Sequence, residues 1–309
     1  MIYTVTLNPA VDRELTVPKL EFDSVLRATA WQVDCGGKGF NVSRMLMSLG
    51  QPSVALGFAG GRSGELLCDG LAALGIDTDF IWVDGETRTN VSIVSETHDH
   101  YIKANEPGPT ISLDDQARLL AQVQKLAQAG DWWILAGSLP PGVPATIYAE
   151  MLAILNETGA KAVLDTSGAA LQHGCEGRPF LAKPNEVELS KLTGLPVGNE
   201  AELKTAVHAI QEMGVAHVVV SLGKAGALLA DEDGILMADS PKIEEQNPIG
   251  AGDSMVGGLV WGVSQGHSVA EALQWGIACG AATASMGGTA VGPRELVETL
   301  LPQIQMKTI

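Results

Sequence analysis

Asn247-Pro248-Ile249-Gly250-Ala251-Gly252-Asp253-Ser254-Met255-Val256-Gly257-Gly258 is the stretch on which the reading of this 309-residue chain turns. Two glycines flank Ala251, a carboxylate follows at once, and the apolar, small-residue run from Met255 to Val263 predicts a buried helix beginning at or near Gly250. The first N–H groups of a helix lack intrahelical partners, and the helix dipole adds partial positive charge there. With glycines admitting a bulky anion close to the backbone, such a start is an anion site. Asp253 falls in that first turn. It serves either as a helix-stabilising charge worth about 0.3–1 kcal/mol, or as the base that takes a hydroxyl proton while the amides of Gly250, Ala251 and Gly252 hold a transferring phosphoryl group.

About two hundred residues earlier stands a second glycine cluster, Gly36-Gly37-Lys38-Gly39-Phe40-Asn41-Val42-Ser43-Arg44. An apolar helical pattern of Val42, Met45, Leu46 and Leu49 follows and ends at Gly50. The cluster is not a dinucleotide fingerprint, which needs a third glycine where Val42 stands, nor a Walker loop, which needs Gly-Lys-Ser/Thr. These two motifs, in this order, resemble those of the ribokinase/PfkB family of sugar kinases. The opening Thr4-Val5-Thr6-Leu7-Asn8-Pro9-Ala10-Val11-Asp12 is similar to that of the family's phosphosugar branch, and the resemblance runs essentially from end to end. It implies an α/β fold: a ribokinase-like αβα sandwich with a mostly parallel central sheet, residues 1–309 forming one kinase domain. A small β-sheet lid, from about 12–35 and 87–105, is inserted into it and pairs two copies as a homodimer.

The bulk properties suit that expectation. With 46% hydrophobic residues the chain can bury a large α/β core with a small appendage. A net charge of −17 argues against nucleic-acid or anionic-membrane partners, which select basic patches. Cys35, Cys68, Cys175 and Cys279 match no zinc spacing, and no signal peptide or membrane-spanning apolar run is read, so a reduced cytoplasmic enzyme is expected. His98-Asp99-His100, between two strand-like segments, reads as a solvated hairpin turn in preference to a metal site.

In chain order, Ile2 to Leu7 reads as a buried strand broken by Asn8-Pro9, with Asp12 in the loop beyond. Short extended pieces follow from Glu14 to Cys35, notably Val25 to Val33, and again at Val91 to Val94 and Tyr101 to Ala104. Elsewhere strands alternate with helices, at least six strand-like segments in all, predicting a mostly parallel sheet covered on both faces. Trp132 to Leu135 ends in Gly137-Ser138-Leu139-Pro140-Pro141-Gly142, and a loop at a strand's C-terminal end is where such sheets bind ligands, which makes Ser138 a substrate candidate. Asn185 and Glu188, three apart at a helix start, form either a capping box or a pair of oxygen ligands on one face. The helices Val269 to Met286 and Arg294 to Gln303 are expected in the nucleotide wall, with Cys279 a core residue.

The resemblance implies roles for these residues. Asp12, Gly37, Lys38, Asn41 and Ser138 grip the sugar, and Arg88 holds its phosphate, since a planar guanidinium fork matches phosphate oxygens; Lys38 and, more weakly, Arg27 are further candidates for the phosphate. Lys183, Asn185, Ser221, Gly223, Gly226 and Gly252 bind ATP, with Lys224 either there or solvated. Asn185 and Glu188 position Mg²⁺, chiefly through water. The implied reaction carries the ATP γ-phosphoryl group to a primary hydroxyl of a phosphorylated ketohexose. Fructose 1-phosphate is the substrate best matched, with tagatose 6-phosphate and fructose 6-phosphate as alternatives. Outside that class, a nicotinamide oxidoreductase lacks its glycine turn after the first strand, where Asn8-Pro9 stands. A non-catalytic sugar-phosphate sensor could dispense with Asp253, Asn185 or Glu188, and all three are present.

Overall fold

The structure, a computed structural model, describes residues 1–97 and 100–309; the turn expected at His98-Asp99 lies outside the described residues. The chain runs β1 (Ile2–Thr6), β2 (Ala10–Val17), β3 (Ala30–Gly36), α1 (Lys38–Ser48), β4 (Val54–Ala59), α2 (Gly61–Ala73), β5 (Asp77–Trp82), β6 (Arg88–Ser95), β7 (Tyr101–Asn105) and α3 (Leu113–Leu126). It continues through β8 (Trp132–Ala136), α4 (Ile147–Thr158), β9 (Lys161–Asp165), α5 (Gly168–Glu176), β10 (Leu181–Ala182), α6 (Glu186–Thr193), α7 (Glu200–Glu212) and β11 (His217–Ser221). Then come β12 (Ala227–Asp231), β13 (Gly234–Ala238), α8 (Ala251–Ser264), α9 (Val269–Ala284), α10 (Arg294–Leu300) and β14 (Met306–Thr308).

One sheet has the order β14-β13-β12-β11-β10-β9-β8-β1-β4-β5, parallel from β11 to β5 and antiparallel from β11 outward to β14. Its central strands are apolar along their length because helices cover both faces. Every residue of β1 and β8 is buried, and Tyr3 stacks on Trp133 across them with ring centroids 4.4 Å apart. One face packs against residues of α3 to α7, such as Leu119, Met151 and Ile210. The other packs against α1, α8, α9 and α10 through residues such as Met45, Val256, Ala278 and Val297.

From β1 the chain builds outward to β4 and β5, then returns to β8 on the other side of β1. The strand order thus reverses at the β1/β8 boundary. A reversal of this kind opens a crevice beyond the strands' carboxyl ends, where α/β sheets bind ligands. Among the described residues, no helix is long and apolar enough to cross a membrane.

The second sheet has the order β3-β2-β6-β7. It corrects two expectations. Asp12 lies within strand β2 and not in a loop, because its backbone stands in register with Asp34 of β3 on one side and Asn90 of β6 on the other. The polar stretch Asp12-Arg13-Glu14 hides this strand from an apolar pattern, since much of the sheet is uncovered. Residues 25–29 stand outside the strands, and β3 starts only at Ala30. Strands β5 and β14 were not foreseen either: both are edge strands, β14 wholly exposed and β5 buried mainly at Phe80 and Ile81.

Helix α8 lies unusually close to α1. A Cβ placed at Gly257 would stand 2.9 Å from Cβ of Met45, inside normal contact, so glycine is what lets these helices touch. Gly257→Val is expected to cost about 1–3 kcal/mol by overpacking. Urea unfolding should show a lower midpoint with an unchanged slope; an unshifted midpoint would refute the close-packing argument.

Candidate active site

Gly250 caps α8 in the left-handed conformation, φ +79°, a geometry that disfavours side chains. The Ala251 N–H turns back to Pro248 O (3.2 Å) and the Ser254 N–H reaches Gly250 O (2.8 Å). The amides of Gly252 and Asp253 fall between these two bonds. A Cβ at Gly252 would have Lys183 Nζ 3.8 Å away, so an ammonium stands beside the open helix start. The first turn therefore presents amides, a dipole and a cation to one anion.

Asp253, 8% exposed, joins a compact ionic cluster. Asn41 Nδ2 donates to its Oδ2 at 2.8 Å, and Lys38 Nζ lies 3.6 Å from its Oδ1. Lys38 Nζ also donates to both oxygens of Asp165 at 3.2 Å, and Lys183 Nζ is 3.5 Å from Asp165 Oδ1. Lys38 and Asn41 come from the first turn of α1, Asp165 from the carboxyl end of β9, and Lys183 directly follows β10. The β1/β8 crevice is where these ends converge.

The two carboxylates are set apart electrostatically. Burial pushes Asp165 up, but Lys183 and Lys38 overcome it and hold the carboxyl below the usual range. For Asp253 burial dominates, Asp165 adds to it, and Lys38, Asn41 and Lys183 offset only part, so its carboxyl stands above the ordinary value. Burial opposes the charge on Lys38, yet Asp165 and Asp253 keep it protonated well above the usual lysine range. Neighbouring acids pushed in opposite directions are an arrangement suited to proton transfer, one staying charged and the other able to take a proton.

Toward the second sheet, Asn90 Nδ2 donates to Asp12 Oδ1 at 2.7 Å. Gly36 faces Asp12 so closely that a Cβ there would clash with the carboxylate. Arg88 is half-buried: Nε and Nη2 donate to Asn8 O (3.2 and 2.9 Å) and Nη1 to Glu106 O (3.2 Å). Three of its five N–H groups are thereby committed to backbone, leaving two for an anion. Ser138 is exposed just past β8, and Arg27 is exposed between β2 and β3. Lys38 and Asn41, expected to read the sugar, are found in direct contact with Asp253, a placement not visible from their spacing.

Behind the helix start opens a cleft of about 1020 Å³. Ser221, Gly223, Gly226 and Gly252 line it, which brings four of the predicted nucleotide residues together from two separate segments, while Lys183 and Asn185 are not among its lining residues. Lys224 lines it too, with its side chain 82% exposed and Nζ 3.5 Å from Glu245. Ile277, Gly280, Ala281 and Ala284 of α9 form one wall. Helix α10 does not, contrary to expectation: Val297 and Leu300 bury it in the core. Cys279 is fully buried as foreseen, and burial pushes its thiol up.

Asn185 and Glu188 do form a capping box. Asn185 Oδ1 accepts from the Glu188 N–H, and Glu188 Oε2 accepts from the Asn185 N–H, both at 2.9 Å. Capping uses one oxygen of each and leaves further acceptor positions open. Asn185 bridges to Ser221 in the wall of the cleft, so this solvent-facing pair is near the loop 221–226. Such donors fit Mg²⁺, which keeps much of its water and takes few protein ligands.

Asp165 was not singled out from the sequence as a site residue. Its signal was a lone carboxylate ending the apolar run Ala162-Val163-Leu164, the position in a parallel sheet that faces the ligand crevice.

A glycine-capped helix start open to an anion, a buried carboxylate beside it and a crevice at a parallel-sheet switch point are the parts of a phosphotransferase on an α/β sandwich. The pfkB family carbohydrate kinase profile matches residues 5–295, and the chain belongs to that family. It is 39% identical over 306 residues to the 1-phosphofructokinase of Bacillus subtilis (strain 168), covering 99% of each chain. Among solved structures it is similar to phosphofructokinase-2 from Escherichia coli in complex with potassium (TM-score 0.93, 30% identity, 97% of this chain and 98% of that one). The ribokinase of Arabidopsis thaliana complexed with ribose and ATP shares the fold at a TM-score of 0.79 and 22% identity, covering 97% and 98%. The αβα sandwich is thus ribokinase-like, as the motifs implied.

Asp165→Asn leaves Lys183 buried opposite a neutral partner. A loss of about 3–5 kcal/mol is expected, the range for breaking a buried pair, read from denaturant unfolding; a loss below about 1 kcal/mol would show that the pair carries no structural weight.

Proposed function

We propose that the chain transfers the γ-phosphoryl group of ATP to a primary hydroxyl of a phosphorylated ketohexose, most directly fructose 1-phosphate, giving fructose 1,6-bisphosphate. The observation that carries this is the seat of Asp253: buried, in the first turn of a glycine-capped helix, between the nucleotide cleft and Asn41 and Lys38. The full-length likeness to a 1-phosphofructokinase supports the choice of substrate.

Asp12, Gly37, Asn41 and Ser138 orient the sugar, and the two free N–H groups of Arg88 bind its phosphate. Asp253 accepts the hydroxyl proton at a carboxylate oxygen, and the charge of Lys38 keeps that carboxylate available at neutral pH. The amides from Gly250 to Gly252, with Lys183, stabilise negative charge gathering on the transferring group. Ser221, Gly223 and Gly226 seat the nucleotide. Mg²⁺, held through Asn185 and Glu188, supplies charge neutralisation on the ATP phosphates. The second sheet acts as a lid that keeps water from the γ-phosphate.

The same sheet supports a homodimer. Phe22, Val25, Trp31 and Tyr101 are 84%, 83%, 72% and 70% exposed on or beside it, an apolar surface of the kind that marks an interface. We infer a cytoplasmic location, where ATP and phosphorylated hexoses meet. Trp31→Lys with Tyr101→Glu should shift sedimentation from dimer to monomer; an unchanged coefficient would remove this interface.

Four kinetic outcomes are expected. ADP release with Mg·ATP should favour fructose 1-phosphate in kcat/KM over tagatose 6-phosphate, fructose 6-phosphate and free fructose. Preference for a 6-phosphate would change the substrate and keep the mechanism, whereas preference for free fructose would remove the Arg88 role. Asp253→Asn should lower kcat by at least ~10²-fold while ATP still binds; near-normal turnover would exclude Asp253 as the base. Because the base works deprotonated, the acidic limb of kcat should lie above the ordinary carboxylate range, in line with the raised Asp253. Lys38→Met removes a charge that lowers Asp253, so the limb should move to still higher pH, and a move downward would contradict the assignment.

A further inference from the structure

Arg44 lies on α1 three residues beyond Asn41, with its side chain only 10% exposed. Its Nη2 donates to the Asp34 carboxylate and, at 3.3 Å, to Cys35 O, both on β3, while Nη1 donates to Thr289 O at 3.5 Å. Thr289 Oγ1 donates to the other oxygen of Asp34, and Gln32 Nε2 reaches Thr289 Oγ1 at 3.5 Å. One carboxylate from the lid, one guanidinium from the helix that carries Lys38 and Asn41, and one threonine from loop 285–293 thus meet at a single point.

That loop is tied in turn to the approach to α8. Asn247 Nδ2 donates to Gly288 O at 2.7 Å, and Asn247 Oδ1 accepts from the Ile249 N–H at 3.0 Å. The amides of Gln246 and Asn247 donate to Ala284 O at 2.9 and 3.1 Å. A path of hydrogen bonds therefore runs from β3 through Asp34 and Thr289 to the backbone one residue before Gly250.

The junction borders a cavity of about 540 Å³, lined by Asp34, Arg44, Met47, Leu74 and Thr289 among others. Lid and loop meet here across polar contacts and not across packed apolar surface. Arg44 Nε is buried with no hydrogen-bond partner among the described residues, so the guanidinium is turned to serve Asp34 and Thr289 at the expense of its own satisfaction. Burial pushes the Asp34 carboxyl up, and the bonds from Arg44 and Thr289 reverse this and hold it below the usual range, so the junction is ionic.

We propose that Asp34, Arg44 and Thr289 are positioning residues that couple the seating of the lid over the sugar to the loop supporting the phosphoryl-receiving helix start. The coupling rests on the kinase reading above for its consequence, but not for its existence. Loosening the junction frees the lid strand and the helix approach together, and the site then closes less completely around the sugar.

Thr289→Val removes the hydroxyl and keeps the shape; Arg44→Lys keeps the charge and loses the planar fork. Hydrogen exchange on the unliganded, full chain should quicken in both variants within residues 30–36 and within 246–250 and 285–293 together. Faster exchange in one of these regions alone would overturn the coupling. In turnover, KM for the ketohexose phosphate should rise on the order of 10-fold with KM for ATP nearly unchanged. ADP released per sugar bisphosphate formed should climb above one, because water reaches the γ-phosphate. A ratio held at one in variants whose only change is a lower Tm would reduce the junction to a structural brace and overturn the proposal. If the unmodified chain turns over none of the four sugars, the substrate reading fails, and exchange decides the junction by itself.

Discussion

The interaction on which the rest of the molecule depends is the ammonium of Lys38 shared between Asp165 and Asp253. Two carboxylates almost removed from water cannot both stay ionised without a cation between them. Asp165, with Lys183 as a second partner, keeps its charge. Asp253 has part of Lys38, the amide of Asn41 and a weaker pull from Lys183 to set against its burial, and these offset it only in part. The asymmetry separates a permanent anchor from a group ready to take a proton, and it exists only while α1, β9, β10 and α8 keep their present spacing.

That spacing is enforced by small residues. Gly257 lets α8 lie on Met45 of α1, and Gly258, Gly262 and Gly276 leave no room for a Cβ where α8 and α9 approach, with Gly280 nearly as tight. Without this closeness Asn41 could not donate to Asp253, and the helix start would not stand next to Lys183. Packing on the far side of the sheet, through Trp133, Tyr148 and Met151, fixes the strand ends from which Asp165 and Lys183 project. Core and site are therefore one problem: the chemistry is held by helix contacts several turns away from it.

Much of the fold was legible because central parallel strands carry their apolar pattern openly. β1, β4, β8, β9 and β11 were all foreseeable, as were the helices after β4 and β8 and the helix starting at Gly250. Edge strands β5 and β14 were not, since exposed edges need no apolar pattern. Asp12 reads as a loop residue because β2 belongs to a sheet largely open to solvent, where polar residues such as Arg13 and Glu14 are tolerated. At the site, Asn185 and Glu188 suit capping and metal positioning equally by spacing; the structure shows the capping bonds, and these leave the second Glu188 oxygen and a lone pair on Asn185 Oδ1 open.

The sequence by itself determined the two glycine motifs, the carboxylate in the first turn of a glycine-capped helix, the α/β alternation and the family, because each rests on residues near one another in the chain. Only the tertiary structure decided that Lys38 and Asn41 touch Asp253 and that Asp165 with Lys183 completes the charge cluster. It likewise decided that Arg88 spends most of its donors on backbone carbonyls, and that Asp34, Arg44 and Thr289 meet. The physical reason is that the partners stand on different elements. From Asp34 and Arg44, ten residues apart, to Asn41 and Asp253, more than two hundred apart, they share no periodicity or spacing to read. Lys38 is brought within 4 Å of Asp165 and Asp253 only by the closing of the sheet and the packing of its helices.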